Sequence, residues 1–183
     1  KDTRDAHVIV ITAGSKQRPG ESRLNLLQRN ASIIENIMDE IQAQHSQAVV
    51  LVVSNPVDVL TYVAQRRVNW PRGRILGSGT VLDSARFRYL LSQHCGLSVH
   101  NVHAYVLGEH GDSEFAAWSL SHVAGMHFED YCQMCGECQD WQKERRQIEE
   151  AVRTSAYHII GYKGATYYAV GQALVRIVSA IVR

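Results

Sequence analysis

The segment VLGEHGDSE, residues 106–114, places His110 between Gly108 and Gly111 and surrounds it with the carboxylates of Glu109, Asp112 and Glu114. An imidazole titrates nearer neutrality than any other unperturbed side chain, and a carboxylate that accepts one ring N–H fixes its tautomer and favours the imidazolium. His110 is therefore a candidate for exchanging a proton with a bound oxygen. Asp83 is the expected partner. It precedes Arg86 by three positions, which puts the two on one helical face about a turn apart. From that face Asp83 can reach a histidine while Arg86 offers a planar, two-pronged fork to a carboxylate. Arg23 adds localised positive charge that would polarise a carbonyl as alkoxide develops. Gln17 belongs to the same loop as Arg23, and Asn55 ends an apolar run. Each has a plainer reading alone: a solvated arginine, an acid at a helix start, a histidine in a turn. Taken together they point to a small 2-oxo acid as substrate.

The elements that must position these residues follow from apolar spacing. Residues 7–12, HVIVIT, and 48–54, AVVLVVS, are short β-branched runs of the kind found in strands buried on both faces. The polar segment SKQRPGES after the first is a loop, and Leu24, Leu27, Ile34, Ile37, Met38 and Ile41 recur at helical steps over residues 23–43. A helix over 58–66, a third strand near 74–76 and a helix over 80–93 follow, the last with Leu82, Ala85, Tyr89 and Leu90 as inward positions. Strand and helix alternating three times imply a parallel sheet covered on both faces, whose ligands collect at the carboxyl ends of its strands. After Leu97 the rhythm changes. VHAYVLG and EFAAWSLSHVAG read as two strands around the histidine turn, then a connector containing Cys and Met, then helices over 141–160 and 167–181 separated by 161–166. A soft domain boundary falls near residue 78, giving residues 1–78 and 79–183. The fold class is α/β, a partial Rossmann-type parallel sheet followed by part of an α+β domain.

Composition removes other classes. The 183 residues carry 19 basic against 18 acidic side chains, a net charge of +1, so no global field favours a polyanion or a membrane surface. No apolar run approaches the roughly 20 residues that span a bilayer, and the first residues open no signal peptide, so a cytoplasmic protein is expected. Cys132, Cys135 and Cys138 form C-x-x-C-x-x-C with Cys95 far away. No complete set of four ligands is supplied locally, so these read as reduced packing or surface thiols and no metal is expected.

The stretches ITAGSKQRPGESRLNLLQRN, VVSNPVDVLTYV, ILGSGTVLDSARFRYLL, VHAYVLGEHGDSE and KGATYYAVG resemble, in order and over essentially the whole chain, the bacterial-type L-lactate dehydrogenase branch of the lactate/malate dehydrogenase family. The resemblance implies NAD-linked interconversion of L-lactate and pyruvate, the step of pyruvate fermentation that follows glycolysis. It assigns His110 as proton donor and acceptor paired with Asp83, Arg86 as the clamp on the substrate carboxylate and Arg23 as the mobile-loop residue that polarises the carbonyl. Asn55 and Gly14 fall on the cofactor side, Asn55 also near the substrate oxygen, and Thr166 lines the substrate pocket. Gln17 stands where malate-specific relatives usually carry arginine for a second carboxylate, so the resemblance points to pyruvate. Family members often form homotetramers and respond to fructose 1,6-bisphosphate, for which Arg88 and His103 match the basic residues.

Two departures accompany it. The sequence has no G-x-G-x-x-G turn for a pyrophosphate and no acidic residue for the adenosine ribose, and Gly77-Ser78-Gly79-Thr80-Val81-Leu82 is no substitute because Leu82 takes the place of the third glycine. Both ends read as unfinished, which implies the central part of a longer enzyme. Two other readings stay open: malate or another 2-hydroxyacid dehydrogenase, and an inactive structural fragment of the parent enzyme.

Overall fold

A computed structural model describes residues 3–15, 20, 22–136, 140–163 and 167–183. The chain forms two compact units, residues 1–79 with 174–183 and residues 80–173.

In the first unit the two β-branched runs become strands β1 (Val8–Ile11) and β2 (Val49–Val52), joined by β3 (Ile75–Gly77) in a parallel sheet of order β1-β2-β3. The register sets Ile11 beside Val52 and Val52 beside Gly77, so the strands end together. Val50, Leu51 and Val52 are fully buried, as a central parallel strand requires. The helix α1 (Arg23–Ala43) starts where Ser22 caps it by accepting from the Asn25 N–H. Its Ile34, Met38 and Ile41 pack on the sheet with Val57, Leu60 and Ala64 of α2 (Val57–Arg67). Leu24 does not join them and stays 62% exposed. At 100° per residue it lies roughly 70° around the helix from the centre of the buried stripe. Arg67 forks onto Asp39 with N–O distances of 2.7 and 2.6 Å, tying the exposed sides of α1 and α2.

Gly77 is a glycine because α2 passes close by. A Cβ there would sit 2.6 Å from Thr61 Oγ1, whose hydroxyl donates to the Val57 carbonyl. Gly77→Ala is expected to cost about 1–3 kcal/mol, the usual penalty of overpacking, read as a lower urea midpoint. Adding Thr61→Ala should restore most of the loss; no restoration would place the strain elsewhere.

The second unit is built on α3 (Val81–His94), with β4 (Val102–His103), β5 (Val106–Leu107), β6 (Phe115–Ala116), β7 (His122–Val123) and β8 (Met126–His127) followed by α4 (Phe128–Cys135) and α5 (Trp141–Lys163). The helix α6 (Tyr168–Val182) ends the chain. Antiparallel pairing gives one sheet of order β4-β7-β8 and a separate β5–β6 hairpin. The core is aromatic: Trp118 meets Phe87 and Trp141 edge-on, each with ring centroids 4.9 Å apart. Its Nε1–H donates to Glu149, which fastens α5.

Four expectations are corrected here. VHAYVLG and EFAAWSLSHVAG are not continuous strands. Ala104 and Tyr105 separate β4 from β5, and a 3-10 turn at Trp118–Leu120 separates β6 from β7, because Trp118 turns into the core instead of alternating outward. The connector is the helix α4, which buries Phe128 and Cys132 one turn apart and stops at Gly136, whose φ of 74° suits a left-handed cap. The helix expected to end at Ile160 continues to Lys163. On α3 the inward face is Asp83, Ser84, Phe87 and Leu91, while Ala85 and Tyr89 are exposed. Polar groups point inward there because β5 and the histidine turn bond to them.

Candidate active site

The first turns of α3 hold β5 directly. Thr80 Oγ1 donates to the Val106 carbonyl at 2.6 Å, and Ser84 Oγ accepts from the Val106 N–H at 3.0 Å. Val106 and Leu107 pair with Ala116 and Phe115, so the hairpin fixes both ends of the intervening loop. Within it Gly108 and Gly111 have φ of 96° and 137°, backbone that L side chains rarely adopt. The loop bends His110 back over α3, and its Nδ1 lies 2.7 Å from Asp83 Oδ2. The other Asp83 oxygen accepts from Arg86 at 3.1 Å, the contact that the three-residue spacing allows.

The environment is closed around the acid and open around the base. The side chains of Asp83 and Glu114 are 3% and 5% exposed, against 14% for Arg86 and 26% for His110. Because Nδ1–H donates to Asp83, Nε2 is the nitrogen left to exchange a proton. Asp83 and Glu114 together hold the protonated imidazole in place, outweighing burial, and raise the His110 pKa from 6.5 to about 10. For Asp83, burial pushes upward, but the hydrogen bond from His110 and the charges of His110 and Arg86 keep its carboxyl below the ordinary carboxylate range.

Glu114 is the residue that spacing did not single out. Its Oε2 stands 3.8 Å from His110 Nδ1 and 3.5 Å from the Gly111 nitrogen. The available signal was its place four residues after the histidine, next to the apolar run that begins at Phe115. Asp83, His110 and Glu114 bring their ligand atoms within 4.8 Å of one another, the one such triple of His, Cys, Asp or Glu among the described residues. With Nδ1 donating to Asp83, they form an acid–base array.

In the first unit the strand ends carry a second set. Asn30, buried on α1, accepts from the Ser15 N–H at 2.8 Å and donates to the Asn55 carbonyl at 3.3 Å. Ser54 Oγ donates to the Ala13 carbonyl at 2.5 Å. Gly14 and Asn55 are exposed at the carboxyl ends of β1 and β2, and Asn30 ties the backbone of Ser15, next to Gly14, to that of Asn55. Asn30 was also unforeseen, although an asparagine between Leu27 and Ile34 on an inward stripe is a recognisable anomaly.

Arg88 donates to the Ala104 carbonyl at 2.8 Å and lies 5.1 Å from the centre of the Tyr105 ring, beside the exposed His103. Cys132 Sγ is 3.7 Å from His94 Nε2, and Cys135 Sγ is 3.5 Å from the Cys132 carbonyl. Arg23 opens α1, but its side chain lies outside the described residues, as do Gln17, Thr166 and Cys138.

A Rossmann-type parallel sheet followed by an α+β unit with a histidine–aspartate pair defines a two-part α/β architecture. The chain belongs to the lactate/malate dehydrogenase family: residues 1–77 match its NAD binding domain and residues 80–183 its alpha/beta C-terminal domain. It is 54% identical over its whole length to the L-lactate dehydrogenase of Treponema denticola and 50% identical to that of Acetivibrio thermocellus, covering 58% and 57% of those proteins. It thus spans under two thirds of the curated relatives it matches. The crystal structure of MGS-M5, a lactate dehydrogenase from a Medee basin deep-sea metagenome library, superposes with a TM-score of 0.92 at 46% identity, covering 96% of this chain and 55% of that one. The minor L-lactate dehydrogenase of Enterococcus mundtii, in its ligands-bound form, gives 0.91 at 38% identity, with 97% and 56% covered. No helix among the described residues is long and apolar enough to cross a membrane.

Proposed function

We propose that the protein containing this chain is a cytoplasmic, NAD-dependent L-lactate dehydrogenase, with residues 1–78 as the second part of its dinucleotide-binding domain and 79–183 as part of its substrate domain. The observation that carries the reading is Asp83, which accepts from His110 at 2.7 Å and from Arg86 at 3.1 Å through its two oxygens. One buried carboxylate thereby sets the proton donor and the substrate clamp at a fixed separation.

The exposed Gly14 and Asn55, tied at the ends of two parallel strands, fit the nicotinamide end of NAD, which when bound supplies or accepts the hydride. In pyruvate reduction His110 gives its Nε2 proton to the C2 oxygen, and the neutral ring keeps Nδ1–H on Asp83. Arg86 spends one N–H on Asp83 and directs others to the substrate carboxylate. Arg23 takes the role of polarising the carbonyl as negative charge develops on its oxygen. Thr166 is assigned a substrate-binding role on the resemblance of KGAT to the family's pattern. Arg88 and His103 serve a fructose 1,6-bisphosphate site in a homotetramer, a role supported by the seat of Arg88 beside β4.

Gln17 sets the choice of substrate. A second substrate carboxylate buried beside a neutral amide loses hydration without gaining a counter-charge, whereas the methyl group of pyruvate loses nothing. Steady-state rates with NADH should favour pyruvate over oxaloacetate, and Gln17→Arg should move their ratio toward oxaloacetate by on the order of 10²-fold. An unchanged ratio removes Gln17 from the pocket. A wild-type preference for oxaloacetate makes the enzyme a malate dehydrogenase. An NADH titration of the 183-residue chain alone reports whether these residues hold cofactor without further sequence.

A further inference from the structure

We propose that Asn30 is a positioning residue for the reaction, acting by holding Asn55 and the end of β1 in place at the cofactor end of the sheet. The proposal rests on the reading of Asn55 as a cofactor- and substrate-binding residue. Asn30 lies about two turns into α1, the helix that begins at Arg23, and is 2% exposed. Its Oδ1 accepts from the Ser15 N–H at 2.8 Å and its Nδ2 donates to the Asn55 carbonyl at 3.3 Å, with the Ser15 carbonyl 3.5 Å away. One side chain thus joins segments that lie 15 and 25 residues from it in sequence.

An amide meets both demands of this place. The Ser15 nitrogen donates and the two carbonyls accept, so a flipped amide or an aspartate would set like groups against each other, and an apolar side chain would leave the Ser15 N–H without its acceptor. Packing of the helix does not call for such a group here. Ile34, Met38 and Ile41 already hold α1 on the sheet, and the ladder between β1 and β2 ends where the Val53 N–H donates to the Ile11 carbonyl at 2.9 Å. Past that bond the described stretches 13–15 and 54–55 are joined through side chains: by Asn30, and by Ser54 through its bond to the Ala13 carbonyl. A buried polar bridge just beyond the carboxyl ends of parallel strands stands where such sheets bind their ligands. Fixing the Asn55 backbone there limits where its exposed side chain can reach.

Steady-state kinetics of the full protein with pyruvate and NADH test this in a double-mutant cycle of Asn30→Asp and Asn55→Ala. Aspartate keeps the acceptor for Ser15 and loses the donor to Asn55. Asn30→Asp should lower kcat by about 10-fold or more, because small misplacements of a positioned group are costly, while KM for pyruvate changes little with Arg86 untouched. If Asn30 acts through Asn55, the double variant is no slower than Asn55→Ala alone. A purely structural defect would instead multiply the two losses. Multiplied losses, or a near-normal kcat in Asn30→Asp, would overturn the proposal. Near-normal turnover by Asn55→Ala would remove Asn55 from the site, a failure of the underlying reading that this single variant reports by itself and that takes the proposal with it. Asn30→Ala, which removes both bonds without burying a charge, should repeat the pattern. Loss of cooperative urea unfolding in both Asn30 variants would make the residue structural and overturn its positioning role.

Discussion

Replacing His110 by Asn lowers the rate of pyruvate reduction by about 10²–10⁴-fold, the usual contribution of a positioned general acid, while NADH affinity changes little. Asparagine can still donate an amide N–H toward Asp83, so the loop keeps its anchor, but it has no exchangeable proton for the C2 oxygen. The two directions of the reaction separate this loss from simple misfolding. Reduction needs the imidazolium, and with the His110 pKa raised to about 10 that form persists through neutral pH. Wild-type kcat/KM for pyruvate should hold up to that region and then fall as the ring deprotonates. Lactate oxidation needs the neutral ring and should rise over the same range. The variant should lose both limbs. Near-normal turnover by His110→Asn with the alkaline limb intact would place the proton donor elsewhere. Glu114→Gln is the graded case: with one of two carboxylates neutralised, the alkaline limb should move to lower pH with the fold preserved.

What the sequence made legible follows the range of the forces involved. β1 and β2 could be read because a strand buried on both faces needs an unbroken β-branched run, and α1 because its stripe repeats over five turns. Asp83 and Arg86 could be placed on one face because the pitch of a helix makes residues three apart neighbours whatever surrounds them. The inward face of α3 was misread for the opposite reason. Of the candidates on periodicity, Leu82, Ala85, Tyr89 and Leu90, the two leucines are half-buried but Ala85 and Tyr89 are exposed, because the bonds of Ser84 to Val106 and of Asp83 to His110 turn the polar side inward. Those bonds join residues 22 and 27 positions apart, beyond any local window. Residues 102–127 failed similarly: alternation could not reveal that Trp118 leaves the strand to pack edge-on against Phe87 and Trp141. Glu114 and Asn30 were passed over because their roles lie in what they touch across the fold, an imidazole and two strand ends.

Asp83→Asn should have the largest effect on folding and chemistry together. The carboxylate is buried and faces two cationic neighbours, so removing its charge leaves Arg86 and protonated His110 partly uncompensated. Breaking a buried pair in this way costs about 3–5 kcal/mol. The pH dependence identifies the source. His110 has a raised pKa, so its share of stability is complete below 6.5 and is lost as pH rises through about 10. The carboxyl of Asp83 has a lowered pKa, so its share is complete above 3.8 and is lost as pH falls below that value. The stability difference between wild type and variant should therefore form a plateau between about pH 4 and 6.5 and shrink on both sides. Urea midpoints from acid to alkaline pH measure it directly. Pyruvate reduction should fall by at least about 10²-fold, since the ring loses both its tautomer lock and its anionic support. A difference that is constant across pH would mean that Asp83 acts through packing alone, and the coupled acid–base array would lose its centre.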